Sequence, residues 1–194
     1  IPDQTIPEGS AFATINRDDY VDDVDNADSE MIWTKSGNVE LLVDISNRVA
    51  TIIIPDANWN GSETITFRAT DPGALWDDDA AVFTVTAGND PPVVADIPDQ
   101  TIDEGQAFTT INLDDYVSDL DNADSEITWT TSGETDLTVT IDGSRVATIN
   151  IPNADWTGSE TITFTATDPG LLTDSDPATF TVENLNDAPV VSDI

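Results

Sequence analysis

Oxygen-bearing side chains are the groups in this sequence with the clearest capacity for chemistry. The sequence contains no His and no Cys, whereas 39 of its 194 residues are Asp or Glu. The absence of His and Cys excludes Ser-His-Asp and Cys-His catalysis. It also means that every candidate metal ligand is a hard carboxylate or amide oxygen. Such oxygens bind calcium in preference to zinc. We therefore expect a calcium-binding or structural protein and not an enzyme.

The acidic residues cluster in predicted turns, and each cluster occurs twice. The runs DNADSE and ATDPG appear once in each half of the sequence. The D-x-D-N motif at Asp23 and Asp119 does not match an EF-hand loop, because alanine stands where the third oxygen ligand is required and no glycine follows. Carboxylates from separate turns could still converge on one ion. The other oxygen-rich positions are Glu8, Glu104, Asp71 and Asp168, and the dipeptides Asn89-Asp90 and Asn186-Asp187.

The duplication extends along the whole sequence. IPDQTIPEG begins at Ile1 and returns as IPDQTIDEG at Ile97, and VVSDI at Val190 opens the same motif a third time. A period of about 97 residues is too long for a solenoid unit and suits a self-contained domain in a tandem array. We place repeat 1 at residues 1–90, the linker into repeat 2 at 91–96, repeat 2 at 97–187 and the start of a third repeat at 188–194.

Differences between the two copies indicate which strand faces are buried. Ala50, Ile52 and Ile54 stay apolar in both copies, whereas Ile53 is replaced by Asn150. This alternation predicts a half-buried strand. About six or seven such strands per repeat, separated by Gly, Pro, Asn and Asp and without helical periodicity, predict a β-sandwich. The expected bulky core residues are Trp33, Trp59, Phe67 and Phe83, and their counterparts Trp129, Trp156, Phe164 and Phe180.

The net charge restricts the partners of the chain. Only five basic residues accompany the 39 acidic ones, which gives a formal charge of −34. A nucleic acid would be repelled by this charge, so we expect no nucleic-acid partner. Because 38% of the residues are apolar and alternate regularly, we expect folded domains rather than disorder. No run of residues is long and apolar enough to span a membrane, so we expect a soluble segment without a signal peptide.

Five short motifs follow one another in the same order in both copies. They are the acid-Gly pair at Glu8 and Glu104, D-x-D-N at Asp23 and Asp119, the aromatic-x-Gly-x-acid run at Trp59 and Trp156, A-x-D-x-G at Ala69 and Ala166, and N-D-x-P-V at Asn89 and Asn186. Together they resemble the cadherin-like, bacterial Ig-like tandem repeats of large prokaryotic surface proteins such as adhesins. The resemblance implies an all-β fold of two tandem Greek-key sandwiches in an elongated arrangement. It also implies an extracellular, cell-surface location, with neighbouring repeats of the same chain as partners.

The resemblance further implies that calcium binds at the junction between consecutive repeats and stiffens the chain. Repeat 1 would supply Glu8 to this junction. The linker would supply Asn89 and Asp90, and repeat 2 would supply Asp119, Asp121 and Asp168. The equivalent residues Asp23, Asp25 and Asp71 would belong to the preceding junction, and Glu104, Asn186 and Asp187 to the next one.

Two departures from the cadherin pattern reduce the expected number of ions. The linkers lack the additional acidic residue that opens the pattern, and the Asp-Arg-Glu motif has no clear match. Glu63 with Asn58, and Glu160 with Asp155, are the candidate substitutes for that motif. We therefore expect fewer ions at each junction than animal cadherins hold.

Three alternatives remain open at this stage. The acidic turns could serve only to solvate the surface, as in a protein adapted to high salt. The repeats could instead be subunits of an extracellular filament or sheath that associate laterally or end to end through Leu42, Ile53 and Trp76, which are polar in the second copy. Trp76 alone could make the chain a carbohydrate-binding module. A glycan or other cell-surface partner could also bind elsewhere in the full protein.

Overall fold

Short strands separated by Gly, Pro and Asp turns build both repeats. The computed structural model describes residues 1–186 and 188–189, and the chain divides into two units, Ile1–Gly88 and Asn89–Ile194. Each unit is all-β apart from single turns of 3-10 helix, and none of the described helices is long and apolar enough to cross a membrane. The all-β sandwich fold predicted from the repeats is confirmed.

Unit 1 contains seven strands in two sheets. The strands are β1 (Gln4–Pro7), β2 (Ile15–Asn16), β3 (Ile32–Ser36), β4 (Leu42–Ser46), β5 (Val49–Ile53), β6 (Gly61–Thr70) and β7 (Trp76–Thr86). One sheet has the order β1-β7-β6-β3, with β1 parallel to β7, and the other has the order β2-β5-β4. The 3-10 turns Arg17–Tyr20 and Asp28–Glu30 carry the DDY and DSE motifs.

Unit 2 repeats this plan and adds a short strand pair. Its strands are β8 (Val93–Val94), β9 (Gln100–Asp103), β10 (Ile111–Asn112), β11 (Val117–Ser118), β12 (Thr128–Ser132), β13 (Thr138–Ile141), β14 (Val146–Asn150), β15 (Gly158–Thr167) and β16 (Thr173–Glu183). The sheets have the orders β12-β15-β16-β9 and β10-β14-β13, and β8 pairs with β11. The 3-10 turns are Leu113–Tyr116 and Asp124–Glu126.

Phenylalanines from one sheet and from the segment before the first strand of the other sheet form the centre of each core. Phe67 and Phe83 are almost fully buried, and the ring of Phe12 meets that of Phe83 edge to face at 5.3 Å. Phe108 and Phe180 make the same contact in unit 2, also at 5.3 Å. The sequence did not identify Phe12 or Phe108 as core residues. Each lies outside the strands and contributes to the core through its edge-to-face contact with a strand phenylalanine.

The four tryptophans assigned to the core lie instead at its margin. Trp33 and Trp59 are partly buried against the core of unit 1, and Trp129 and Trp156 against that of unit 2. The alternation in β4 and β5 is confirmed, since Leu42 and Ile53 are exposed opposite each other. The indole nitrogen of Trp156 donates to Asp136 Oδ2 at 3.3 Å, whereas those of Trp33 and Trp129 are buried without a hydrogen-bond partner.

Truncation of Phe83 to alanine tests the position of the core. We expect Phe83→Ala to lower the free energy of unfolding of unit 1 by about 3–5 kcal/mol, because it removes a buried ring and leaves a cavity. The matched control, Ile53→Asn, introduces the residue found in unit 2 and should change the free energy by no more than about 0.5 kcal/mol. Urea denaturation measures both values, and equal effects would contradict the assigned burial.

Candidate functional site

The D-x-D-N motif folds into a tight turn around its first carboxylate. Asp119 Oδ1 accepts hydrogen bonds from the backbone N–H groups of Asp121 at 2.8 Å and Asn122 at 2.9 Å. Asp23 makes the same pair of bonds in unit 1, at 2.9 and 2.8 Å. Aspartate favours such turns because its short side chain reaches the backbone two and three residues later. The motif therefore has a structural role in both units.

Two further hydrogen bonds attach the linker to unit 2. Asp121 Oδ2 accepts from the backbone N–H of Asp90 at 2.7 Å. The side-chain nitrogen of Asn89 donates to Asp168 Oδ2 at 2.7 Å. Asp119 belongs to the same turn as Asp121. Unit 2 thus brings together five of the predicted ligand residues in a network formed by two hydrogen-bonded groups that meet at the Asn89–Asp90 peptide bond.

Asp168 lies at the base of this network and is only 2% exposed. Its Oδ1 accepts from the backbone N–H of Leu172 at 2.8 Å, and Asp71 accepts from Leu75 in the same way in unit 1. A Cβ atom at Gly170 would lie 2.5 Å from the side-chain nitrogen of Asn89. The glycine of the second ATDPG motif therefore allows the linker asparagine to approach Asp168.

Two oxygens in the D-x-D-N turn of unit 2 are buried and have no hydrogen-bond partner. They are Asp119 Oδ2 and the side-chain oxygen of Asn122. A buried oxygen without a donor is energetically costly, and a carboxylate oxygen is the costlier of the two. A cation bound to either oxygen would satisfy it. Asn122 was not among the predicted ligands, although it is the last residue of the D-x-D-N motif.

The network is not an assembled ion cage. Among residues 1–186, 188 and 189, no group of three or more Asp or Glu side chains is placed to hold a metal ion. Both oxygens of Asp168 already accept hydrogen bonds, and Asp119 Oδ1 accepts two. The donor set is suited to calcium in its chemistry, but its side chains must move to surround an ion.

The two acid-Gly pairs connect the start and end of each unit. Glu8 Oε2 accepts from the backbone N–H of Gly88 at 2.8 Å, and its Oε1 is buried without a partner. Glu104 Oε2 accepts from the backbone N–H of Leu185 at 3.0 Å. Asp25 and Asn186 are exposed, and Asp187 lies outside the described residues.

Glu63 and Glu160 organise loops within their units. Glu160 Oε1 and Oε2 accept from the backbone N–H groups of Asp136 at 2.7 Å and Thr135 at 2.9 Å. Burial alone would raise the pKa of Glu160, but these hydrogen bonds outweigh it and hold the pKa below its ordinary value. Glu63 caps the backbone of residues 39–41 in the same way. These hydrogen bonds give the acidic residue of the aromatic-x-Gly-x-acid motif a structural role that does not require a metal ion.

The few basic side chains lie close to individual acidic residues. Arg145 binds Asp114 with two hydrogen bonds of 2.5 and 2.6 Å, and these bonds and the arginine charge lower the pKa of Asp114. In unit 1 the guanidinium of Arg68 lies 3.6 Å from the ring centre of Trp76. Trp76 is 57% exposed, but Arg68 covers one of its two faces.

Comparison with known proteins agrees with this architecture. The fold of the chain is cadherin-like, as its sequence motifs predicted. Residues 89–183 match the family model described as Bacterial Ig domain. No curated protein sequence matches the chain. This class of fold is typically structural or adhesive and extracellular rather than enzymatic.

Several solved structures share the fold at low sequence identity. A structure described as a protocadherin gamma B7 EC3-6 cis-dimer is 20% identical, with 95% of this chain and 46% of that chain covered and a TM-score of 0.54. Protocadherin gamma B2 extracellular domains 1-5 are 17% identical, with 96% and 39% covered and a TM-score of 0.52. Human mucin-like protocadherin EC1-2 is 11% identical, with 93% and 95% covered and a TM-score of 0.50. The chain spans less than half of the first two structures, and these likenesses concern the fold alone.

Replacement of Glu160 tests its role in the loop. We expect Glu160→Gln to destabilise unit 2 by about 1 kcal/mol at neutral pH, because the charged acceptor of three backbone donors is lost. The folded pKa of Glu160 is lowered, so its contribution is present above the ordinary carboxyl pKa and is lost as the pH falls through the folded value. The difference from wild type should therefore shrink in acid. Urea denaturation across pH measures it, with Glu183→Gln as the exposed control, and a difference independent of pH would contradict the assignment.

Proposed function

We propose that this chain is a calcium-binding extension repeat of a large extracellular surface protein or adhesin, in which Ca²⁺ rigidifies the junctions between repeats. The observation that supports it most directly is the buried, unpartnered Asp119 Oδ2 in the network that binds the linker. A carboxylate oxygen is rarely buried without a donor or a cation. Because the same network contains Asn89 and Asp90, an ion bound there would fix the linker to unit 2.

The residues of the network supply a suitable set of oxygens for calcium. Asp119 Oδ2 and the side-chain oxygen of Asn122 are available without loss of any hydrogen bond within the described residues. Asn89 bonds Asp168 through its nitrogen, so its carboxamide oxygen can bind an ion. Calcium accepts six to eight such oxygens. The proposed ligands of this junction are Glu8, Asn89, Asp90, Asp119, Asp121, Asn122 and Asp168.

The remaining predicted ligands belong to equivalent junctions with neighbouring repeats. Asp23, Asp25 and Asp71 correspond to Asp119, Asp121 and Asp168, and Glu104 corresponds to Glu8. Asn186 and Asp187 repeat the linker pair. Each junction would therefore use the same set of side chains, as expected for a spacer that is extended by duplication.

Charge repulsion explains how calcium would change the linker. Two carboxylates about 4 Å apart repel by about 4 kcal/mol at an effective dielectric constant near 20. In the described residues, the ligand groups are not gathered around one point. This separation is expected in the absence of an ion, because the carboxylates repel one another. Bound calcium would bring them together and fix the linker. Since this rearrangement has a cost, we expect an affinity typical of extracellular modules, about 10⁻⁴ to 10⁻³ M.

Lateral assembly into a filament or sheath is the second candidate function. Leu42 and Ile53 are cross-strand neighbours and are 52% and 42% exposed, so they form an apolar patch on unit 1. The corresponding residues of unit 2 are Thr138 and Asn150. Carbohydrate binding has less support, because Arg68 covers one face of Trp76.

Hydrogen exchange in the presence of calcium tests the proposed site. A ligand that binds only the folded state at about 10⁻⁴ to 10⁻³ M should raise the opening free energy of unit 2 by about 1.4–2.7 kcal/mol at about 10 mM Ca²⁺. Asp119→Asn should abolish most of this increase. Asp115→Asn, which removes the same charge outside the network, should retain it. Equal protection by calcium and magnesium at matched ionic strength, or an unchanged response of Asp119→Asn, would contradict the site.

A further inference from the structure

A cavity of about 370 Å³ opens beside β14 in unit 2. Its floor is apolar, because Phe108, Ile149 and Val182 are buried core residues. Ligand pockets in proteins have volumes of about 300–1,000 Å³ and combine an apolar lining with a few polar groups. We call this site the amide cavity and define it by six of the residues that line it, Gln106, Phe108, Asn150, Asn153, Trp156 and Val182.

The amide cavity exists because β10 leaves the edge of β14. Among the described residues, β10 pairs only with the first two residues of β14. Just before β10, the side chain of Gln100 bonds the carbonyl and the N–H of Thr109 at 3.0 and 2.8 Å, so the chain turns away from β14. Backbone groups of alternate residues in an antiparallel strand point to opposite neighbours. The carbonyl of Val146 bonds Asp142 beside β13, so Ile149 directs its N–H and C=O to the side that β10 leaves open.

The lining of the amide cavity is uncharged. Asp and Glu make up 39 of the 194 residues, yet none of the described residues that line this cavity is Asp, Glu, Lys or Arg. Three exposed carboxamides, those of Gln106, Asn150 and Asn153, stand at its rim instead. A charged ligand would gain no ion pair from this lining, and an anion would be repelled by the chain as a whole. The site therefore suits an uncharged polar ligand.

The carboxamides offer both donors and acceptors to a ligand. Asn150 directs its nitrogen to the carbonyls of Thr138 at 3.3 Å and Thr148 at 3.4 Å, and its oxygen accepts from no described residue. Asn153 is the reverse case, because its oxygen accepts from the N–H of Asp155 at 3.1 Å and its nitrogen donates to no described residue. Hydroxyl groups both donate and accept, so this pair of carboxamides suits the adjacent hydroxyls of a sugar.

Trp156 supplies an aromatic wall whose position is fixed by its neighbours. Its indole nitrogen donates to Asp136 Oδ2 at 3.3 Å, and a Cβ atom at Gly158 would lie 3.0 Å from the ring, so the ring lies close against the backbone there. A sugar ring presents apolar C–H groups as well as hydroxyls and therefore needs an apolar surface beside hydrogen-bonding groups. This wall is separate from Trp76, the exposed tryptophan of unit 1.

Unit 1 has the corresponding cavity without the carboxamides. Its cavity of about 260 Å³ is lined by residues 10–12 and 51–54. Ser10 stands in place of Gln106, and Ile53 in place of Asn150. The cavity is present in unit 1 although the chain continues from there into a second repeat, so it is a property of the repeat. The carboxamides, by contrast, distinguish unit 2.

We propose that the amide cavity of unit 2 binds a neutral hexopyranose unit of a glycan. The sugar ring would lie against Trp156 above the apolar floor, and its hydroxyls would donate to the oxygen of Asn150 and accept from the nitrogen of Asn153. A peptide strand fits less well, because a strand ladder needs several successive residue pairs, and Ile149 is the residue that offers both backbone groups at the open edge. Glycan binding would add a recognition site to the spacer role and would not need calcium.

A titration of the full-length chain followed by NMR tests the amide cavity. The probes are the methyl glycosides of glucose, mannose and galactose, each added in chelator up to tens of millimolar. We expect at least one of them to cause saturable changes in the side-chain amide resonances of Gln106, Asn150 and Asn153 and in the indole N–H of Trp156. The indole N–H of Trp59 is the control within the molecule and should not change.

Three outcomes of this titration would overturn the proposal. The first is the absence of saturable changes with all three glycosides, and the second is an equal response in both units. The third is a response of the Ile149 amide to the acetylated and amidated peptide Thr-Val-Thr-Val-Thr without any response to the glycosides, which would identify a strand acceptor. The use of chelator separates this test from the calcium proposal, because neither result depends on a bound ion.

Variants that carry the residues of unit 1 test the carboxamides directly. We expect Asn150→Ile and Gln106→Ser each to raise the Kd for the bound glycoside about fivefold to tenfold, as for the loss of one hydrogen bond between neutral groups. Unit 1 folds with these residues, so the substitutions are compatible with the repeat. Asn112→Ser removes an exposed carboxamide outside the cavity and should bind like the wild type. Unchanged affinity of both cavity variants would overturn the proposal.

Discussion

Hydrogen bonds from backbone N–H groups to carboxylates are the interaction on which this structure depends. With 39 acidic and five basic residues, ion pairs can satisfy only a small part of the negative charge. Asp119, Asp168 and Glu160 each accept backbone hydrogen bonds in a turn or loop. The acids thereby define the turns that connect the strands. The same hydrogen bonds connect Asp121 and Asp168 to the adjacent residues Asn89 and Asp90.

The two units show how far one sequence pattern determines local structure. Asp23 and Asp119 form the same turn with nearly the same distances, although their surroundings differ. Asp168 is buried with Asn89 against it, whereas Asp71 is half-buried. The turn is therefore encoded locally, and the burial of the site depends on the linker that packs against it. A repeat alone supplies the acids, while the linker completes the network.

The alternation of β4 and β5 could be predicted because the two copies differ at exposed positions such as Leu42 and Ile53. The positions of Trp33 and Trp59 could not, because periodicity shows which face is apolar but not how deep a residue lies. Phe12 precedes a strand of two residues and gave no periodic signal, yet it packs on Phe83 across the core.

Prediction of the candidate site was limited in the same way. The D-x-D-N and N-D-x-P-V motifs identified residues that the structure connects in one network. Glu160 accepts hydrogen bonds from backbone groups about 24 residues away, and no short motif reveals such partners. Asn122 was missed, since only its burial distinguishes it from an ordinary turn residue.

The central claim is that calcium fixes the linker between repeats. Small-angle X-ray scattering of this chain in millimolar calcium and then in chelator, at matched ionic strength and with magnesium as the control ion, tests it most directly. We expect a narrow distance distribution of one extended particle in calcium and a broader distribution in chelator or magnesium, at concentrations where the chain is monomeric. Identical profiles in all three conditions would contradict it and would leave the acidic turns with a structural and solvating role alone.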